Sequence, residues 1–113
     1  MTVWRRGEIW LTDFNPAKGG EIGKLRPAVV LSDEESNAIL ETVMVVPLST
    51  VIEPDTLPYR LTLPPREELH RESDACIYEI RTLSKQRLKK RIATLEPREL
   101  ETIQKALCEL VTQ

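Results

Sequence analysis

Thr42-Val43-Met44-Val45-Val46-Pro47-Leu48 is the stretch on which the fold class turns. Its near-continuous apolar run over so few residues predicts a strand buried on both faces. Pro47 has no N–H to give to a ladder, so the strand is expected to leave regular pairing there, with Ser49-Thr50 at its exit. Upstream, Asp33 to Asn37 reads as a polar turn and Pro27 to Ser32 as a second strand. Before it lies a polar segment, Ala17 to Lys24, that holds three of the chain's four glycines, which suits a loop or long hairpin connection. Glu8 to Phe14 gives the first strand, ended by Asn15-Pro16.

Downstream, Pro58 to Leu63 alternates as a fourth strand until Pro64-Pro65 breaks it. Arg66 to Glu72 is a charged stretch suited to one helical turn. Ala75 to Leu83 reads as a fifth strand and Ile92 to Leu95 as a short sixth. From Pro97 the period changes. Leu100, Ile103, Leu107, Leu110 and Val111 recur at three- and four-residue steps, one apolar stripe on a helix that proline can open. Short strands followed by one C-terminal helix predict a mainly β (α+β) domain, a small closed barrel with the helix as its cap.

The bulk properties fit that outline. A chain of 113 residues forms one domain, 1–113, and buries roughly 65% of its unfolded surface. A composition 41% hydrophobic and 30% charged is that of a globular protein. No apolar run nears the ~18–20 residues of a membrane span, and the opening Met-Thr-Val-Trp-Arg-Arg-Gly lacks a signal peptide's apolar core. The expected location is the cytoplasm. Cys76 and Cys108 match no metal or redox spacing and are expected as two buried, reduced thiols.

A net charge of −2 argues against a nonspecific nucleic-acid coat, but the charge is unevenly spread. Residues 1–32 sum to +2, residues 33–74 to −7 and residues 75–95 to +5. If folding joins the two basic segments, an acidic protein acquires a local anion site. In the second of them, Arg81, Lys85, Arg87, Lys89, Lys90 and Arg91 follow one another with no acid between.

Several chemistries fail at the sequence. Gly19-Gly20-Glu21-Ile22-Gly23-Lys24-Leu25 has the wrong glycine spacing for a phosphate loop and no hydroxyl after the lysine. His70 is the only histidine, which excludes a two-histidine ribonuclease within one chain, and it sits in a charged segment as a solvated side chain. No His, Cys and carboxylate cluster has ligand spacing, so neither metal nor cofactor is expected. What remains is Arg26, where the glycine loop enters the second strand, and the Ser49-Thr50 pair, where the third strand exits. Both border loops, where functional groups tend to sit.

Four segments carry a resemblance. Arg6-Gly7-Glu8-Ile9-Trp10 with Asp13-Phe14-Asn15-Pro16 opens the chain. Gly20-Glu21-Ile22-Gly23-Lys24-Leu25-Arg26-Pro27-Ala28-Val29-Val30-Leu31 follows, then Thr42 to Thr50, then Ile80-Arg81-Thr82-Leu83-Ser84-Lys85-Gln86-Arg87-Leu88. In this order and spacing they resemble the MazF/PemK toxins over essentially the whole chain. Thr56 to Asp74 matches none of the family's motifs, and serine stands at position 49 where many members have threonine.

The resemblance implies an SH3-like barrel with a C-terminal helix, assembled as a homodimer. It implies a type II toxin that cuts single-stranded RNA, mRNA included, at short recognition sequences without a metal. It implies an antitoxin whose extended acidic tail occupies the RNA site. Carried over, the catalytic arginine is Arg26 and the catalytic hydroxyl is Ser49, or Thr50 if the register shifts by one. The RNA-contacting positions are Glu21, Lys24 and Glu79. Two other readings compete: a non-catalytic toxin on the same barrel that inhibits DNA gyrase, and an RNA-binding SH3-like module. The second of these usually shows an aromatic platform, and this chain has only five aromatics.

Overall fold

The computed structural model describes residues 2–14 and 25–112, in which seven strands are followed by a C-terminal helix. The central strand is β3 (Thr42–Ser49). Along one edge it pairs antiparallel with β2 (Leu25–Val30), Val30 opposite Val45 and Ala28 opposite Pro47. β1 (Glu8–Asp13) lies outside β2, and β7 (Leu88–Thr94) outside β1. The other edge of β3 is shared. β6 (Arg81–Ser84) takes its first half and β5 (Ser73–Cys76) its end, and β4 (Arg60–Leu63) pairs with β5.

The sequence makes Ala75 to Leu83 one strand, and the structure divides it. Val45 pairs with Arg81 and Leu48 with Ala75, so two residues of β3 face five on the partner. The surplus folds into a 3-10 turn, Ile77–Glu79. Ile77 turns into the core and Tyr78 outward. The turn stands opposite Val46-Pro47, the place where Pro47 was expected to disturb pairing. On the β2 side, however, Pro47 stays in the ladder.

Four other expectations change. Asp33 to Asn37 is not a turn: α1 (Glu34–Ile39) begins after Asp33, whose carboxylate accepts from the Ser36 hydroxyl. With Asn37 its only buried residue, so short a helix shows no apolar stripe. Arg66 to Glu72 holds no helical turn. Arg66 bridges to Leu69, and Glu67 adopts φ 47°, outside the right-handed helical region. The last strand starts at Leu88 rather than Ile92: three successive exposed cations, Lys89, Lys90 and Arg91, separate the buried Leu88 from Ile92 and hide the strand's apolar pattern. Strand pairing runs β4-β5-β3-β2-β1-β7 without closing into a ring among the described residues, although the mainly β class with a terminal helix holds.

Both faces of the sheet are covered, as the apolar run of β3 requires. Val46 and Leu48 join Ile9, Val29, Leu63, Ala75, Ile77 and Ala93 in a core closed by Ile103 and Ala106 of α2 (Pro97–Val111). Val43 and Val45 point the other way, into a cluster with Trp10, Ala28, Val30 and Leu88 that Trp4, Phe14 and Leu83 border. Leu100, Leu107 and Leu110 flank the first core as the helical stripe predicts, but Val111 is exposed because the helix ends there.

Glu99 fixes the start of α2. Its side chain accepts from the Glu96 N–H in a reciprocal capping box, and it also receives the Arg66 guanidinium, Nη2 to Oε2 at 2.6 Å. Chiefly through Arg66, its carboxyl is held below the usual glutamate range. Of the two free cysteines, Cys76 is buried as expected. Cys108, off the helical stripe, is exposed.

Candidate active site

Residues directly opposed in an antiparallel ladder share a face, and so do residues two apart on one strand. Thr12 of β1 is opposite Arg26 of β2. Ser49 of β3 is opposite Asp74 of β5, which is in turn opposite Thr62 of β4. The β2–β3 ladder ends at Ala28 opposite Pro47. Arg26 lies two residues beyond Ala28, and Ser49 two beyond Pro47. Continued two residues past its last pair, the same register would bring Arg26 across from Ser49. Five strands thus contribute one polar row: Thr12, Arg26, Ser49, Asp74, Thr62.

Arg26 is exposed. Ser49 is half-buried, and its Oγ accepts the Val51 N–H at 3.1 Å, which leaves the hydroxyl proton free to be donated elsewhere. Thr50 is exposed at the next position, in a bend past the end of β3 and outside the ladder that defines the row.

Asp74 has no exposed surface and is fully engaged. It accepts from the Thr62 hydroxyl at 2.5 Å, from the Glu53 N–H at 2.8 Å and from Arg60 Nη1 at 3.3 Å. Arg60 also donates to the Val51 carbonyl at 3.0 Å and lies 3.2 Å from the Glu53 carboxylate. Together Asp74 and Arg60 clamp the chain just past Ser49-Thr50. Burial pushes the Asp74 carboxyl up, but the bonds from Thr62, Glu53 and Arg60 outweigh it and hold the group below the ordinary aspartate range. Two residues along β5, burial raises the Cys76 thiol against the opposing pull of Arg60 and, more weakly, Arg26.

Glu79 is exposed on the 3-10 turn, its carboxylate 3.8 Å from the Arg81 guanidinium. A cleft of about 560 Å³ is lined by Tyr59, Arg60, Cys76, Tyr78, Glu79 and Leu110. It places Glu79 beside the arginine that braces the row. Glu21 and Lys24 lie outside the described residues.

The fold does join the two basic segments. Arg81 stacks over the Phe14 ring at 5.3 Å, Lys85 over Trp4 at 5.0 Å, and Arg87 donates to the Asp13 carbonyl at 3.2 Å. The run of six cations is nevertheless less basic than it reads. Lys90 pairs with Glu68 at 2.8 Å and Arg91 with Glu67 at 3.3 Å, so the acidic middle of the chain neutralises part of it. His70 is exposed, as expected. Among the described residues no cluster of His, Cys, Asp or Glu is arranged to hold a metal ion, and no helix is long and apolar enough to cross a membrane.

Sequence reading missed Arg60, Thr62 and Asp74. They lie in the stretch without family motifs, and only the pairing of β4 with β5 unites them. The one available signal was an aspartate placed in Ser73-Asp74-Ala75-Cys76, among small side chains that favour burial.

The sequence model of the PemK-like, MazF-like toxins of type II toxin–antitoxin systems matches residues 5–111. The chain belongs to this family. A protein named endoribonuclease MazF from Staphylococcus saprophyticus is 29% identical over 106 residues, 93% of this chain and 88% of that protein. The crystal structure of a MazE–MazF complex from Deinococcus radiodurans superposes with a TM-score of 0.85 at 23% identity, covering 100% of this chain and 99% of that one. An endoribonuclease in complex with its cognate antitoxin, from a mycobacterial species, gives 0.73 at 21% identity, over 99% and 96% of the two chains. At such identities the superpositions establish the fold. In this PemK/MazF-like toxin the Arg26–Ser49 row therefore sits on a scaffold shared over essentially its whole length.

Proposed function

We propose that this toxin is an endoribonuclease that cuts single-stranded RNA, with Arg26 and Ser49 at the scissile phosphate. The observation that carries the reading is the β2–β3 register, which continued past Ala28 and Pro47 brings an exposed arginine toward a serine whose hydroxyl proton is given to no partner among the described residues. RNA brings its own nucleophile. Its 2′-hydroxyl attacks the adjacent phosphorus in line and the bond to the 5′-oxygen breaks. The products are a 2′,3′-cyclic phosphate and a 5′-hydroxyl. One proton leaves the 2′-oxygen and one reaches the departing 5′-oxygen. Arg26 offers a permanently charged, planar fork of donors to the phosphate oxygens as negative charge builds there. Ser49 donates to a phosphate oxygen while Val51 keeps its Oγ in place. Its own pKa is too high for it to act as an independent base, and Glu21 is a candidate for that role. The substrate contacts assigned to Glu21, Lys24 and Glu79 belong to the same reading.

None of these steps calls for a Lewis acid, so cleavage of a long single-stranded RNA is expected to proceed in EDTA and to leave cyclic-phosphate ends. Strict magnesium dependence or 5′-phosphate products would contradict the mechanism. A gyrase inhibitor or a simple RNA-binding module would leave the RNA intact. The reading includes a cytoplasmic homodimer and an antitoxin whose acidic tail competes with RNA. The antitoxin complexes among the structural relatives support that partner.

The row also separates the two hydroxyls. Ser49→Ala is expected to lower the cleavage rate by roughly 10²-fold, the cost of one preorganised donor, and Thr50→Ala to leave it within about threefold. Initial rates on one mapped site compare them. Loss confined to the Thr50 variant moves the catalytic hydroxyl one residue along.

A further inference from the structure

Tyr59 and Tyr78 are nineteen residues apart in sequence, yet their rings meet edge to face at 6.0 Å. Neither belongs to a core: they are 54% and 71% exposed. Both are nonetheless held by the backbone. The Tyr59 N–H donates to the Thr56 carbonyl at 2.7 Å, and the Tyr78 N–H to the Tyr59 carbonyl at 3.3 Å. Two aromatic rings kept largely in solvent cost apolar hydration that core packing does not recover, and they provide a surface on which a ring can stack.

Their position relates them to the polar row. The rings line the cleft of about 560 Å³ whose other walls are Arg60, Cys76, Glu79 and Leu110. Arg60 is opposite Cys76, and the next pair on the same face is Thr62 with Asp74, the residue that faces Ser49. The Arg60–Cys76 pair in the cleft wall therefore lies one same-face position along β4 and β5 from Thr62 and Asp74, about 7 Å at strand spacing. β5 is the strand next to β3, so the cleft opens about one or two nucleotides' length from a phosphate held by Arg26 and Ser49. Glu79 supplies an acceptor at its edge, while the Arg60 donors are taken up by Val51, Glu53 and Asp74.

We propose that the Tyr59–Tyr78 pair is a stacking platform for one unpaired base beside the scissile phosphate, with Glu79 accepting from that base's exocyclic amine. The proposal rests on the RNA-cleaving reading of this toxin and deepens it by locating a determinant of base preference. Single-stranded RNA offers unstacked bases that aromatic side chains bind face on. A carboxylate at the rim discriminates by accepting from a base amine, as acidic side chains do with the cytosine N4. A cleft flanked by one cation and one anion suits a flat, polar-edged ring better than an apolar protein segment.

The test uses an RNA oligonucleotide spanning a mapped cleavage site, with a 2′-deoxy sugar at the attacking nucleotide so that it binds uncut. Tyr59→Ala and Tyr78→Ala should each weaken its binding about five- to a hundredfold, the equivalent of one lost base–aromatic stack. Tyr59→Phe and Tyr78→Phe, which keep the ring, should stay within about twofold. Placing an abasic residue at each position in turn should identify one nucleotide whose removal weakens wild-type binding equally and abolishes the effect of the Ala variants. Leu variants replace any Ala variant that does not fold. Ala or Leu variants that bind all oligonucleotides like wild type would overturn the platform. So would affinity loss accompanied by halving of the protein's mass in solution, which would make the rings a contact between two copies. Wild-type protein that neither binds nor cuts RNA would instead remove the RNA-cleaving reading itself.

Discussion

Arg26→Ala is expected to lower the single-turnover rate of RNA cleavage by ~10²-fold or more while the protein keeps its fold. The side chain is exposed near the start of β2 and outside both core clusters, so its removal opens no cavity in them. Its loss falls on the transition state, where charge gathers on the phosphate oxygens, more than on ground-state binding. The rate at saturating RNA should therefore drop further than the affinity for an uncleavable oligonucleotide. Arg26→Lys should recover little, because an ammonium supplies a point charge where two oxygens need a planar fork. Cleavage within about tenfold of wild type, with the circular dichroism spectrum unchanged, would take Arg26 out of the catalytic role.

The legible part of this fold was the part written in apolar periodicity. Val43 to Leu48 announced a strand covered on both sides, and its residues divide between two clusters. Leu100, Ile103 and Leu107 announced the face of α2. What failed lacked a periodic signal. The helix Glu34–Ile39 buries one residue, and that residue is Asn37. Strand β7 begins with the buried Leu88, which three exposed cations separate from Ile92, so the apolar signal is legible only from Ile92 onward. The division of Ala75 to Leu83 follows from a mismatch in register with β3, a relation between distant segments that neither contains alone.

The site divides in the same way. Arg26 and Ser49 could be named because each ends a strand beside a loop and matches a family motif, and the β2–β3 register, continued two residues past its last pair, would bring them together. Local pattern gave a single hint of the residues that brace Ser49, an aspartate set among the small side chains of Ser73-Asp74-Ala75-Cys76. Arg60 and Asp74 read as an ordinary surface cation and anion until β4 and β5 pair and bury them. Charge counting misled for the same reason: six cations in residues 81–91 suggest a strong anion surface, and Glu67 and Glu68 fold back onto two of them. The two tyrosines, too sparse in sequence to suggest an aromatic platform, meet only in the fold.

Asp74 should prove the most costly polar side chain to remove. Asp74→Asn keeps one oxygen for the Glu53 N–H and Arg60, turns its amide toward a Thr62 hydroxyl that must rotate to accept, and removes the buried negative charge that pairs with Arg60. Breaking one partner out of a buried pair costs about 3–5 kcal/mol. The lower end applies here, because the Arg60 side chain is 21% exposed and water can reach it. Urea denaturation at neutral pH should show that loss. The wild type should show its counterpart in acid. The folded-state pKa of Asp74 lies below its unfolded value of about 3.9. Its contribution is thus complete above that value and disappears as pH falls through the folded pKa. The stability gap between wild type and Asp74→Asn should accordingly be constant from pH 7 to about pH 5 and narrow below about pH 4. Because Arg60 and Asp74 clamp the chain that follows Ser49, the Asn variant should also cut RNA more slowly under conditions where it is fully folded. Equal urea midpoints at pH 7, or a gap that widens in acid, would show that the buried carboxylate does not hold this end of the sheet together.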